Sequence, residues 1–306
     1  KKIRDFQNAC KRQSISLQFL DESIKKWNQS ELLVLGDTII DQYSACEALG
    51  LSAEAPVVVV KELEQKNFIG GAAIVASHIK SLGAKCNFIS VVGKDNNSNI
   101  VKQELDKLGI NSYLIEDESR PTTLKKRYVV ENQKLFRVSR LEEKLVSNDI
   151  EDKIIELLEN FAPKINGIVI SDFVYGVITE KILNKIYKLK KIYKFKLFGD
   201  IQCSSQIGFV TKFRNFTLLC PNEREARIAM QDNEIGLELL SQNILTITNS
   251  ERLIMKLGSE GFLAYDRKSD NSLLSQPFPA LSANPLDVTG AGDSLLAVMA
   301  TGISSG

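Results

Sequence analysis

Histidine is almost missing from this chain: His78 is the single one in 306 residues. That excludes a histidine-built metal cluster and argues against a histidine-dependent nucleophilic triad. His78 falls in an expected helix and reads as incidental. The five cysteines (Cys10, Cys46, Cys86, Cys203, Cys220) are odd in number, scattered, and lack C-x-x-C spacing. They offer neither a disulfide framework nor a zinc site, and fit reduced thiols in a cytoplasmic protein. No apolar run approaches the ~20 residues that span a bilayer, and there is no signal-peptide pattern, so no membrane partner is expected. Charge of one sign is lacking too. A net charge of +1 argues against a nucleic-acid partner held by bulk electrostatics. The basic run Lys181 to Lys196 carries apolar residues at near-helical spacing and reads as a helix with a solvated face, followed by a strand. A Walker-type phosphate loop is missing as well, because Phe88 stands where Gly93-Lys94 would require the first glycine.

What remains is a chain with 43% hydrophobic and 25% charged residues, ordinary for a globular protein and enough for one large α/β domain or two small ones. Residues 1–29 form a polar, helix-leaning leader anchored by Phe6, Leu17, Phe19, Leu20, Ile24 and Trp27. From Leu32 to Leu35 onward, short apolar strands alternate with helical segments. Strands are expected at Cys86 to Val92, Gly167 to Ile170, Lys196 to Phe198, Thr217 to Leu219, Leu253 to Lys256 and Phe262 to Tyr265. Helices are expected at Gly71 to Leu82, Ile100 to Leu108, Asn148 to Asn160, Glu180 to Tyr193 and Glu223 to Met230. This alternation predicts a mostly parallel sheet flanked by helices. Two strand-rich insertions break it, near residues 55–66 and 121–140, the second a hairpin around Glu131-Asn132-Gln133.

Asp287 to Ser294 (DVTGAGDS) is the most informative stretch. It sets two glycines and an aspartate at the mouth of an apolar helix, Leu295 to Ala300. Glycines let backbone N–H groups converge, and a helix N-terminus adds unpaired donors and partial positive charge. Asp293, beside that anion site, is placed to take a hydroxyl proton during phosphoryl transfer. The plain alternative is a tight loop with Asp293 as an ordinary first-turn acid.

The full string resembles the second signature of the ribokinase-like carbohydrate kinases, also called the phosphofructokinase B family. The resemblance implies an anion hole at Gly290, Ala291 and Gly292, with Asp293 as base and ATP as phosphoryl donor. It covers residues 32–302. Family members usually continue further, through helices that help cover the nucleotide, so residues 30–306 are expected to be a kinase domain lacking its C-terminal end. In this family the inserted strands form a small β-lid over the sugar, which often pairs in a homodimer.

Other segments extend the resemblance. Gly36-Asp37 and Asp41 follow the first strand, where acids can hold sugar hydroxyls or simply make a turn. With Tyr43 they match the GD-x-x-x-D-x-Y of the branch that phosphorylates heptose 7-phosphate, and Ser52 to Val57 resembles its S-P-E-A-P-V. Gly70-Gly71-Ala72 resembles the first signature, but Ile74 replaces its sugar-binding asparagine. Lys125 and Arg127 share a strand face in a run resembling P-T-x-T-K-x-R, and could grip a phosphate already on the substrate. Asn132, Gln133 and Arg137 keep that branch's N-Q-x-x-x-R spacing. Ser171-Asp172 opens a match to S-D-Y-x-K-G in which Tyr175 replaces lysine, and Asp200 stands where the family has D-P-K. Asn222 and Glu225 match N-x-x-E, which implies magnesium organised through water. Lys256, Gly258 and Gly261 match the T-x-G-x-x-G nucleotide loop, with lysine for threonine. The expectation is an ATP- and Mg2+-dependent kinase acting on the anomeric hydroxyl of heptose 7-phosphate. A kinase for another sugar, sugar phosphate or nucleoside, and a non-catalytic binding domain, are the alternatives.

Overall fold

The computed structural model describes all residues except 1, 132, 204–205, 269–271 and 283–287; Asp287 and Asn132 of the motifs above lie outside the described residues. The leader holds helices α1 (Lys2–Arg12) and α2 (Leu17–Lys25). Strand β1 (Glu31–Gly36) is followed by two long strands, β2 (Thr38–Leu51) and β3 (Val58–Gly71), then α3 (Ala72–Ser81), β4 (Lys85–Val92), α4 (Asn96–Lys107) and β5 (Asn111–Glu116). A hairpin of β6 (Thr123–Val130) and β7 (Gln133–Arg140) comes next. The α/β alternation then resumes through α5 (Asn148–Phe161), β8 (Gly167–Asp172), α6 (Glu180–Tyr193), β9 (Lys196–Ile201), β10 (Leu218–Leu219), α7 (Glu223–Met230), α8 (Leu237–Thr248) and β11 (Arg252–Lys256). Strands β12 (Phe262–Arg267) and β13 (Leu273–Phe278) precede the last helix, α9 (Ala291–Ser305).

The main sheet runs β13-β12-β11-β10-β9-β8-β1-β4-β5. It is parallel from β11 to β5, with β12 and β13 antiparallel at one edge. Both faces are buried, as a parallel sheet under helices requires. The alternation of β1 shows how: Leu33 and Leu35 enter one core cluster, Leu32 and Val34 the other. After β1 the chain builds β4 and β5 on one side, then returns to β8 on the other. The carboxyl end of β1 is therefore a topological switch point, where open α/β sheets form their ligand crevice.

A second sheet, β3-β2-β6-β7, stands outside the main one. Strand β2 leaves straight from the switch point and β3 returns to it. Asp37 C=O accepts the Ala72 N–H at 2.9 Å, which fixes the start of α3 beside the end of β1. A side chain on Gly71 would press into that same carbonyl, and its φ is +62°, so the junction needs glycine.

The leader packs against the rest of the chain. The rings of Phe6 and Phe278 lie 6.3 Å apart, Ala9 is fully buried, and Arg12 and Gln13 both donate to the Gln276 side chain at 3.3 Å. No helix among the described residues is long and apolar enough to cross a membrane.

Candidate active site

A cleft of about 590 Å³ opens between the carboxyl end of the main sheet and the smaller sheet. Its lining joins Asp41, Gly70, Gly71, Lys125 and Arg127 to Gly290 and Asp293, so residues far apart in sequence meet there. Ile74, Arg137, Phe173 and Gln202 also line it.

On the smaller sheet Lys125 and Arg127 do share a face, because β6 runs extended between them. Arg127 pairs with Asp41 and lies over the Tyr43 ring at 5.3 Å. Lys125, only 3% exposed, holds its ammonium 5.2 Å from the Phe173 ring centre and 5.4 Å from that of Tyr175. A cation over an aromatic face is attracted by the negative face of the ring.

At the other wall α9 begins one residue past Gly290, which takes the left-handed conformation (φ +79°) as N-cap. Ala291, Gly292 and Asp293 therefore form the first turn of the helix, which starts four residues earlier than the apolar pattern suggests. Among the described residues the N–H groups of Gly292 and Asp293 have no backbone acceptor, as the start of a helix dictates. Asp293 is 8% exposed, and its Oδ1 has no hydrogen-bond partner. Burial pushes its carboxyl up to about 7, helped by nearby Asp200 and opposed by Lys256.

Asp37 and Asp172 do not line this cleft. Both are buried behind it. Asp37 Oδ2 accepts the N–H groups of Phe173 (2.8 Å) and Tyr175 (3.4 Å), so it shapes the loop that carries the two rings. Burial and the neighbouring Asp172 raise its carboxyl to about 7. Asp172 accepts the Val174 N–H at 2.8 Å and pairs with Lys212. The sequence shows acids at strand ends and cannot tell one that faces the cleft from one that braces its wall.

Asn222, Lys256 and Gly258 line a second cleft, of about 680 Å³, with Arg224, Arg227 and Leu257. Asn222 and Glu225 form a capping box on α7: Asn222 Oδ1 accepts the Glu225 N–H at 2.8 Å, and Glu225 Oε2 accepts the Asn222 N–H at 2.7 Å. Glu225 is buried, which together with Asp200 raises its carboxyl to about 7. Gly261 lines neither cleft; it packs against the backbone of Pro279 and Ala280. Among the described residues no group of three or more His, Cys, Asp or Glu is arranged to hold a metal. The unpartnered, buried Asp200 Oδ1 and Asp293 Oδ1 are still the hard oxygen donors that magnesium takes, often through water.

Sequence reasoning left three residues of this region unassigned. Gln202 lines the first cleft and donates to Asp200 at 2.9 Å. Phe173 seats Lys125. Arg120, buried, pairs with Asp117 and donates to the carbonyls of Tyr175 and Lys144 at 2.9 Å, holding the Phe173–Tyr175 loop from behind. Each had a signal: Arg120 stands just before the Pro121-Thr122 run, Phe173 within the match to S-D-Y-x-K-G, and Gln202 two residues past Asp200.

With this geometry in hand, the pfkB family of carbohydrate kinases matches residues 29–306. The chain belongs to that family, and its class is that of ATP-dependent carbohydrate kinases. Among curated proteins it is similar to "Bifunctional protein HldE" of Campylobacter jejuni subsp. jejuni serotype O:6, 31% identical over 95% of this chain and 59% of that one. The protein of the same name from Geobacter metallireducens is 32% identical over 90% of this chain and 55% of its own length. The chain thus spans less than three fifths of the length of these relatives. Among solved structures, Escherichia coli phosphofructokinase-2 in complex with fructose-6-phosphate superposes with a TM-score of 0.72 at 16% identity, over 90% of this chain and 87% of that one. Arabidopsis thaliana ribokinase complexed with ribose and ATP gives 0.67 at 19%, over 90% and 86%. These superpositions establish the ribokinase-like fold.

Proposed function

We propose that the chain transfers the γ-phosphoryl group of ATP to the hydroxyl of a sugar that already bears a phosphate, with the anomeric hydroxyl of heptose 7-phosphate as acceptor. The observation that carries this reading is the shared cleft: Lys125, Arg127 and Arg137 line the same space as Asp293 and the start of α9. The cations suit a phosphate that stays on the substrate, and charge-assisted contacts give such a group its grip. The helix start suits the phosphate that moves.

In the step, the acceptor oxygen forms the new O–P bond while the bond from γ-phosphorus to the bridging oxygen breaks. That oxygen keeps the electron pair and leaves on ADP. The hydroxyl proton passes to the Asp293 carboxylate, whose Oδ1 has no competing donor. Unpaired N–H groups of the α9 first turn offset the negative charge on the phosphoryl oxygens. Magnesium, held through water by Asn222 and Glu225, would supply further neutralisation beside the nucleotide. Asp37 and Asp172 brace the acceptor loop, Asp41 orients Arg127, and Gly70 and Gly71 bring backbone close to the sugar. The second cleft, with Asn222, Lys256 and Gly258, is where the nucleotide fits.

The smaller sheet would act as the lid. It exposes apolar side chains (Leu51, Val58 and Leu63 on β2 and β3, Phe136 and Val138 on β7), which suit pairing with a second copy. The name HldE on the relatives supports the heptose branch. Ile74 in the cleft favours a second reading, a kinase for a different sugar phosphate, because isoleucine cannot hydrogen-bond a hydroxyl. ADP release measured across sugar phosphates and their free sugars tests both readings: turnover confined to unphosphorylated sugars or nucleosides would refute the first.

A further inference from the structure

Lys256 occupies a place that a nucleotide-loop residue does not need. It ends β11, and its ammonium turns inward, 2.7 Å from Asp200 Oδ2, with the side chain 14% exposed. It lines the second cleft. A Cβ built on Gly292, in the first turn of α9, would sit 3.2 Å from this Nζ. Gly290 and Asp293, on either side of Gly292, line the first cleft. The ammonium thus stands at the seam between the two clefts, against the turn whose N–H groups lack acceptors.

Resting on the kinase reading above, we propose that Lys256 is a catalytic residue: its ammonium touches the phosphoryl group in transit and carries part of its charge. Three features support this. An ammonium has three N–H donors, and the hydrogen bond to Asp200 is the one its side chain makes among the described residues. Asp200, fully buried, pairs with the ammonium and fixes it at the seam. The absence of a side chain at Gly292 leaves the path from Nζ to the helix start open. A phosphoryl group crossing from the nucleotide cleft to the acceptor must pass this seam. Preorganised charge at such a point counts for more than in water, because the site is poor in solvent. The group transfer itself is unchanged: the acceptor oxygen gains phosphorus, ADP keeps the bridging oxygen and its electron pair, and Asp293 takes the proton.

The test compares wild type, Lys256→Met and Lys256→Met/Asp200→Asn by kcat and by calorimetric affinity for ADP and for the non-hydrolysable analogue AMP-PNP. The double variant relieves the lone buried carboxylate that the single variant creates and keeps the question open if that variant folds poorly. The expected result is a loss of about a hundredfold in kcat and roughly tenfold in AMP-PNP affinity. ADP affinity should stay nearly constant, and the double variant should remain as slow. Equal losses for both nucleotides, or recovery of kcat in the double variant, would show that Lys256 is only the counter-ion of Asp200. The nucleotide titrations need no acceptor sugar, so a wrong acceptor leaves them decisive. A wild-type protein that binds neither nucleotide would overturn the kinase reading and this proposal with it.

Discussion

The two walls of the acceptor cleft are built on opposite principles. The sheet-end wall gathers carboxyls out of water: Asp37, Asp172, Asp200 and Asp293 are all buried, and oxygens of Asp37, Asp200 and Asp293 lack hydrogen-bond partners. The smaller-sheet wall carries positive charge on long side chains resting on rings or on Asp41, and every described residue of its strand β7 is exposed. Buried carboxyls whose hold on the proton is raised, as at Asp37, Asp200 and Asp293, suit a fixed chemical step. Cations on a thin, exposed sheet suit the choice of substrate. The contrast implies that substitutions at the first wall alter kcat and those at the second alter KM.

The largest expected effect is at Asp293. Asp293→Asn should lower kcat by about a hundredfold or more while ATP affinity, read by calorimetry, changes little; activity within a few-fold of wild type would remove Asp293 as the base. Because the carboxyl is raised to about 7 and only its ionised form accepts a proton, wild-type kcat should climb as pH increases through about 7 and level off above it. A flat profile between pH 5.5 and 8 would contradict that assignment.

Gly292→Val should come next. A side chain there meets Lys256 and Gln202 and crowds the phosphoryl path, so the rate should fall at least tenfold with a smaller relative change in melting temperature. Parallel losses of both would make the turn merely structural.

At the other wall, Arg127→Ala and Lys125→Ala should raise KM for heptose 7-phosphate about tenfold, with kcat and the KM for free heptose little altered. Equal effects on the two substrates would make these cations props of the sheet.

The smallest effect concerns stability. The Asp37 carboxyl titrates near 7 in the folded chain against 3.8 as the ordinary value. The folded state therefore holds this proton more tightly, and its contribution to stability declines as pH rises from about 4 to about 7. Asp37→Asn removes that decline. Its melting temperature should vary less than wild type between pH 5 and 8, on the order of a few degrees; identical slopes would show that Asp37 does not titrate there.

Much of the main sheet was legible because its strands are buried on both faces and read as short apolar runs. Helices α6 and α7 fall where the periodicity sets them. Strand β2 was not legible: after Ile39-Ile40 it turns polar and small, since from Ala45 on every residue but Cys46 is exposed, and burial is what writes a strand into a sequence. Thr38 to Asp41, which the sequence showed only as following the first strand, is the start of that strand. The DVTGAGDS string pointed to Asp293 and the helix start because glycines and a helix mouth are local signals. Asp37 and Asp172 were set in ligand sites by their place at strand ends, and Gly261 by motif; none of the three lines either of the two clefts. Which way a side chain faces depends on the loop opposite, and no local pattern encodes it.

The central claim, transfer to a sugar already bearing a phosphate, is tested most directly by phosphorus NMR of heptose 7-phosphate incubated with ATP and this protein. The account predicts stoichiometric ADP and a second sugar phosphate resonance, coupled to the anomeric proton, with none from Asp293→Asn. ADP without a new sugar phosphate, or phosphorylation of free heptose with heptose 7-phosphate left untouched, would contradict it.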